Sequence, residues 1–222
     1  MKHQRSGGRL LIATLLAACS ITATAQNADM SFFVTSAGPG DGANLGGLAG
    51  ADAHCARLAA DAGASKKQWR AYLSIVSIRG DSSQNISARD RIGTGPWQNA
   101  KGETIAKSVD DLHSADNNLT KQTALNEKGE PISGRGDPVN RHDILTGSDT
   151  AGRYLVANGD TTCGNWTKNG EGSAIVGHSD RVGLNDTSHM KSWVAAHGTR
   201  GCDQKSLQST GGDGLFYCFA TD

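Results

Sequence analysis

The residues best equipped for chemistry gather in the middle of the chain. The segment Arg135-Gly136-Asp137-Pro138-Val139-Asn140-Arg141-His142-Asp143 is rich in side-chain oxygen. Calcium takes about six to eight oxygen ligands, and Asp137, Asn140, Asp143 and Asp149 offer several from one region. The strict spacing of a calcium-binding loop is absent, and the same residue types also cap turns. Calcium is therefore the one cofactor this stretch suggests. The histidines His113, His142, His178, His189 and His197 invite a zinc or catalytic reading. None forms a His-x-x-x-His pair, and the chain has no Gly-x-Ser-x-Gly nucleophile elbow. His178 and Asp180 lie two apart, which would put them on one face of a strand or in an exposed polar turn. Arg79-Gly80-Asp81 and Arg135-Gly136-Asp137 both spell a short integrin-binding tripeptide, a string that recurs readily in a Gly-rich charged chain.

An exposed Trp beside Asn, Asp and Arg makes a platform for a sugar ring. Trp69 and Trp166 read as core. Trp193, in the polar stretch from Asp186 onward, is the more plausible ligand contact. Together with Asp137, Asn140, Arg141, Asp143 and Asp149, it defines an expected ligand surface on the loops between about Arg135 and Cys202.

The start of the chain reads as an export signal. Lys2, Arg5 and Arg9 precede the apolar run Leu10 to Ala18, and no acid occurs before Asp29. A bilayer span needs about 20 apolar residues, so the run suits a signal-peptide core. Two exits fit. Cleavage after Ala23-Thr24-Ala25 would remove residues 1–25 and leave one domain over 26–222. Alternatively, Leu16-Ala17-Ala18-Cys19 resembles a lipobox, which would remove residues 1–18 and place a lipid anchor on Cys19. Either way the protein is expected outside the cytoplasm: secreted, periplasmic or held at an outer membrane. No later stretch approaches membrane length. Without Lys2, Arg5 and Arg9 the basic count falls from 22 to 19 against 22 acidic residues, a formal net charge of −3. That balance carries no electrostatic footprint for nucleic acid.

Cys55, Cys163, Cys202 and Cys218 form an even set for an oxidising compartment, so two disulfides are expected, in any of three pairings. Oxidised cysteines leave no thiol nucleophile. With 36% hydrophobic residues and 29 glycines, the chain should spend much of its length in turns and loops around a modest core.

The elements that must position these residues follow from periodicity. Phe32 to Thr35 predicts a strand that Gly38-Pro39-Gly40 breaks. Leu48, Ala51, Cys55, Leu58, Ala59 and Ala62 recur at helical steps and turn Cys55 inward; His54, Arg57 and Asp61 fall on another face, and Gly63 suits the C-terminal cap. Trp69 to Val76 reads as a buried strand. From Asp81 to about Asn140 the chain is polar and turn-rich around the apolar islands Ile92, Trp97, Ile105 and Leu112. Leu215 to Ala220 is the most strongly β-patterned segment, and with Phe32 to Thr35 it should bring both ends of the domain into one sheet. The fold class is α+β.

Several of these blocks carry a family likeness. Gly46-Gly47-Leu48-Ala49-Gly50-Ala51-Asp52-Ala53-His54-Cys55 followed by Trp69-Arg70-Ala71-Tyr72-Leu73-Ser74 resembles the first helix and strand of the endostatin domain. Thr146-Gly147-Ser148-Asp149, Gly152-Arg153, Cys163-Gly164-Asn165-Trp166-Thr167 and the ending Gly214-Leu215-Phe216-Tyr217-Cys218-Phe219 are similar too. Endostatin is a variant of the C-type lectin-like fold, and the chain also resembles bacterial secreted lectin-like proteins. The resemblance implies short helices, a small mixed sheet, long loops and nested bridges, Cys55–Cys218 and Cys163–Cys202. It also implies a lectin-like or adhesion module that binds a glycan, a matrix polymer or a surface protein, rather than an enzyme. The calcium-holding triplets of sugar-binding C-type lectins, Glu-Pro-Asn or Gln-Pro-Asp and Trp-Asn-Asp, are absent. Endostatin's N-terminal histidine zinc site has no counterpart at the expected mature N-terminus. Two other roles share the broad fold: an oxidase of the formylglycine-generating type, which needs a reactive cysteine pair for copper, and a purely structural envelope component.

Overall fold

A computed structural model describes residues 1, 29–65, 67–77 and 80–222. The candidate signal, Cys19 and both cleavage positions lie outside them, as does Arg79 of the first Arg-Gly-Asp.

The chain is mixed α/β, with few short helices, a small mixed sheet and two disulfides. In chain order the elements are β1 (Phe32–Val34), α1 (Gly47–Asp61), β2 (Trp69–Ala71), β3 (Trp97–Gln98), β4 (Thr104–Ala106), α2 (Val109–Leu112), β5 (Asp143–Leu145), α3 (Cys163–Trp166), β6 (Ile175–His178), β7 (His197–Gly198), α4 (Gln204–Gln208) and β8 (Gly212–Ala220). Among the described residues no helix is long and apolar enough to cross a membrane.

β8 organises the sheet. Antiparallel β1 and β2 both pair with its C-terminal half, with Phe33 and Ala71 each opposite Cys218, while β5 runs parallel to its first half. Beyond β5 come antiparallel β6 and then β7. The two-residue period of a strand sends Phe216, Cys218 and Ala220 to one face, and Leu215, Tyr217 and Phe219 to the other. Because both faces are covered, β8 is apolar almost throughout, as a strand buried on two sides should be. The first face packs against Ala51, Cys55, Leu58 and Ala59 of α1. The second packs against Tyr72, Trp97, Ile105, Leu112, Trp193 and the other apolar islands of the long polar middle segment.

α1 forms where the three- and four-residue apolar steps place it. Its N-terminus needs glycine: Gly46 and Gly47 are left-handed, and a β-carbon on Gly50 would lie 2.1 Å from the Leu45 carbonyl oxygen. At its other end Gly63, also left-handed, donates to the Ala60 carbonyl as a C-terminal cap does. His54 departs from its expected polar face. It is buried, with Nε2 2.8 Å from the Ala37 carbonyl.

The expected strand over Trp69 to Val76 is shorter than its composition suggests. Leu73 N donates back to the Ala71 carbonyl, a three-residue turn, and Ser74 N then bonds Thr146, so the chain leaves β8 after Tyr72. α3 is a left-handed turn: Cys163, Gly164, Asn165 and Trp166 have φ of 46°, 62°, 58° and 67°. It is held from outside. The Asn165 amide donates to the Val76 carbonyl and accepts from Val76 N, and the Trp166 indole donates to the Ser74 carbonyl.

The bridges join Cys55 to Cys218 and Cys163 to Cys202, the nested pairing that the resemblance implies. Two disulfides suit an oxidising compartment. In the chain-entropy account, closing a loop across a separation of 163 residues contributes about 5 kcal/mol, against about 4 kcal/mol for 39 residues. Only the longer bridge also fastens α1 to the central strand.

Two expectations follow. Replacing Cys55 and Cys218 together by Ala should cost about 2–5 kcal/mol in thermal or denaturant unfolding, and more than replacing Cys163 and Cys202. The second concerns His113, whose Nδ1–H donates to the Val109 carbonyl and whose Nε2 accepts from the Tyr72 hydroxyl at 2.6 Å. Burial pushes this imidazole below its ordinary value. The unfolded chain therefore takes up the proton first, and this contribution to stability is complete above about pH 6.5 and lost as pH falls below it. His113→Gln should flatten part of the fall in melting temperature measured between neutral and mildly acidic pH.

Candidate metal centre

β5, β6 and β7 bring together four residues far apart in sequence. Asp143 opens β5 and lies opposite His178 of β6, while His197 of β7 lies opposite Val176. Leu145 and Val176 belong to the α1-side core, so by strand alternation Asp143 and His178 look the same way. His142 precedes β5 and folds its ring against that of His178, with centroids 4.2 Å apart and planes within 5°. Glycine makes the room: a β-carbon on Gly211 would lie 2.5 Å from Asn140 Nδ2 and 3.3 Å from His142 Cδ2.

The four meet at one carboxylate oxygen. His142, His178 and His197 place Nε2 3.2, 3.4 and 3.5 Å from Asp143 Oδ1. None of these contacts has hydrogen-bond geometry. Both Asp143 oxygens and His178 Nε2 are buried without a hydrogen-bond partner among the described residues. The side chains of Asp143, His142 and His178 are 1%, 3% and 3% exposed, and that of His197 is 28%.

The opposite edge of each ring explains the inner one. His142 Nδ1 lies 2.8 Å from Asp180 Oδ1, His178 Nδ1 2.7 Å from the Met190 carbonyl, and His197 Nδ1 3.1 Å from the Gly198 carbonyl. These partners are acceptors, so Nδ1 carries the hydrogen and Nε2 of a neutral ring presents a lone pair. The lone pairs of His142 and His178 then face a buried carboxylate oxygen, with His197 closing the solvent side. Such an arrangement is unfavourable unless a cation lies between them. Protons serve this poorly at His178, where burial, together with the neighbouring His142, lowers the imidazole below its ordinary value. The Asp143 carboxylate raises His197, against the effect of burial.

The donor set decides which cation fits. Three imidazole nitrogens and one carboxylate oxygen match zinc and its transition-metal neighbours, which are bound in fours by His and Asp; calcium wants oxygens in larger number. Each ring also carries the outer acceptor that orients metal-ligating histidines. Asp180 is the strongest of these. Burial acts to raise its carboxyl, but bonds from His142, Arg135 N and Val182 N outweigh it and hold the group below the carboxylate range.

The expected calcium set does not assemble. Among the described residues, His142, Asp143 and His178 form the one group of three His, Cys, Asp or Glu side chains with donor atoms gathered for a metal. Asp143 belongs to it with nitrogen partners. Asp137 accepts from Lys121 Nζ and Gly134 N, both at 2.7 Å, which also ties up the acid of the second Arg-Gly-Asp. Asn140 turns its amide oxygen to His142 N, and Asp149 caps a turn through Ala151 N and Arg153 N. Each satisfies its own loop instead of a shared ion. Arg141 pairs with Asp213 at 3.2 Å.

Trp193 is corrected as well. It is 3% exposed and packs on Tyr72 and Tyr217, because a large ring gains more by burial in the second core than on a polar loop. Only its edge borders an open cleft shared with Arg181, His189 and Lys191. His178 and Asp180 are buried, not in an exposed turn, and Asp180 reaches the ring of His142.

No family model matches the chain, and no curated protein matches it. The assignment of this centre rests on its geometry.

Asp180→Asn keeps the shape but loses the charge that orients His142, and should weaken zinc binding about 10- to 100-fold in a competition titration.

Proposed function

We propose that this protein is an extracytoplasmic binding module on a C-type lectin-like scaffold of the endostatin type, and that it carries one zinc ion held by His142, Asp143, His178 and His197. The observation that carries the metal assignment is the convergence of three Nε2 atoms on a buried, otherwise unpartnered carboxylate. Two disulfides, long loops and a core split by one central strand support the scaffold. The ligand class is a glycan, an extracellular polymer or a surface protein, met by loops on a braced base. The bridging of all four described cysteines favours binding over a copper-thiolate oxidase. It also supports a location outside the cytoplasm, with the candidate signal before residue 26.

The test is metal analysis of the exported protein, followed by calorimetry on chelated protein with zinc and with calcium. One equivalent of zinc is expected, with a thermal shift corresponding to about 2.7 kcal/mol at a hundredfold excess over Kd, and no response to calcium. His178→Ala and Asp143→Asn should abolish uptake. Zinc content near zero, or uptake unchanged in both variants, would sink the assignment. Glycan and matrix-polymer arrays probed with loaded and chelated protein test the binding role.

A further inference from the structure

The four donors are not held alike. His142 is fixed through its other nitrogen by a buried carboxylate, Asp180, which is itself held by two backbone N–H groups. His178 is fixed by the Met190 carbonyl at 2.7 Å, and its own backbone N–H bonds Ser192. Asp143 sits on β5, flanked on both sides by β6 and β8. These three side chains are at most 3% exposed.

His197 differs in every respect. It belongs to a two-residue strand at the edge of the sheet, paired on one side only. Its Nδ1 finds only the carbonyl of the next residue, Gly198, at 3.1 Å. Its side chain is 28% exposed, about ninefold more than either partner ring. A change of rotamer would carry the ring into solvent at the loss of the Gly198 contact, the edge of the His178 ring at 5.1 Å between centroids, and the approach to Asp143, with no buried carboxylate or neighbouring strand holding its outer nitrogen.

We infer that His197 is an exchangeable ligand, and that the solvent-facing position it covers is where the bound metal accepts an external carboxylate. This inference rests on the zinc reading above and deepens it. Zinc with three protein ligands and an accessible fourth position takes up an exogenous donor. Here the fixed three are His142, Asp143 and His178. The exchange is a ligand substitution: the metal–Nε2 bond to His197 breaks, a metal–oxygen bond to the carboxylate forms, and no electrons are transferred. The module would then hold an acidic ligand partly through the ion, while the locked triad keeps the ion in the protein.

Cobalt(II) in place of zinc makes the coordination visible. The chelated full-length protein is loaded with cobalt(II), and the visible spectrum is titrated with acetate and with azide. Saturable spectral changes with both anions are expected. His197→Ala should still bind one cobalt, whereas His178→Ala should not. If His197 covers the position in about nine molecules of ten, its removal should tighten acetate binding about tenfold. A uronic-acid saccharide and an aspartate-terminated peptide, added at equal carboxylate concentration, compare two sources of the donor; a shift with either supports the exchange. The inference is overturned if wild type and His197→Ala both fill with cobalt but neither spectrum responds to acetate or azide. It is equally overturned if His197→Ala loses cobalt as completely as His178→Ala. Absence of cobalt and zinc uptake by wild type would instead defeat the metal reading itself.

Discussion

The burial of β8 on both faces constrains everything else. A strand buried on two sides must find cover above and below and must pair along both edges, and few other segments of this Gly-rich chain are apolar enough to help. α1 covers one face, fastened by Cys55–Cys218 and by Asp52, which accepts from Ala71 N and pairs with Arg91. The other face is covered by residues drawn from a long segment with little regular structure. β5 takes the edge beside the first half of β8, and through β5 the strands that carry the histidines are set in register. The candidate metal centre thus spans the strands beside β8: Asp143 lies one strand out, His178 two and the solvent-facing His197 three.

That gradient fits the chemistry. A metal site needs donors held to a fraction of an ångström, and the sheet supplies this for Asp143 and His178. His142 obtains it from Asp180, whose carboxylate also fixes the backbone of Arg135 and Val182. One buried acid therefore couples the ligand ring to two surface loops, and any shift of the ring is felt by both.

Much of the scaffold was legible in the sequence because its signals are local. α1 was marked by apolar steps and Gly63, and β8 by an unbroken aromatic and apolar run. The nested bridges came with the family resemblance. Local patterning failed where distant partners decide. Trp69 to Val76 is apolar throughout, yet a turn at Tyr72 and a bond from Ser74 to Thr146 divert it. Trp193 has polar neighbours in sequence and an aromatic core around it in space. The metal centre was half legible. Asp143 stood out as a ligand, but with oxygen-bearing companions, and the histidines were discounted for lack of a helical pair spacing. His142, His178 and His197 lie on three segments that only strand register unites, and no short motif records register. The usable signal was narrower: His142-Asp143 directly before a β-branched run, and His178 closing another.

The order in which these strands are made has its own consequence. β8 is synthesised after every strand it pairs with, and Phe32 must wait for Phe219 before either is covered. Without β8, β1 and β2 have no strand to pair with, and the apolar residues of β1, β2 and α1 lack their cover. Such a topology, dominated by contacts distant in sequence, acquires its native form late and slowly. The covering of α1, β1 and β2 therefore waits on β8.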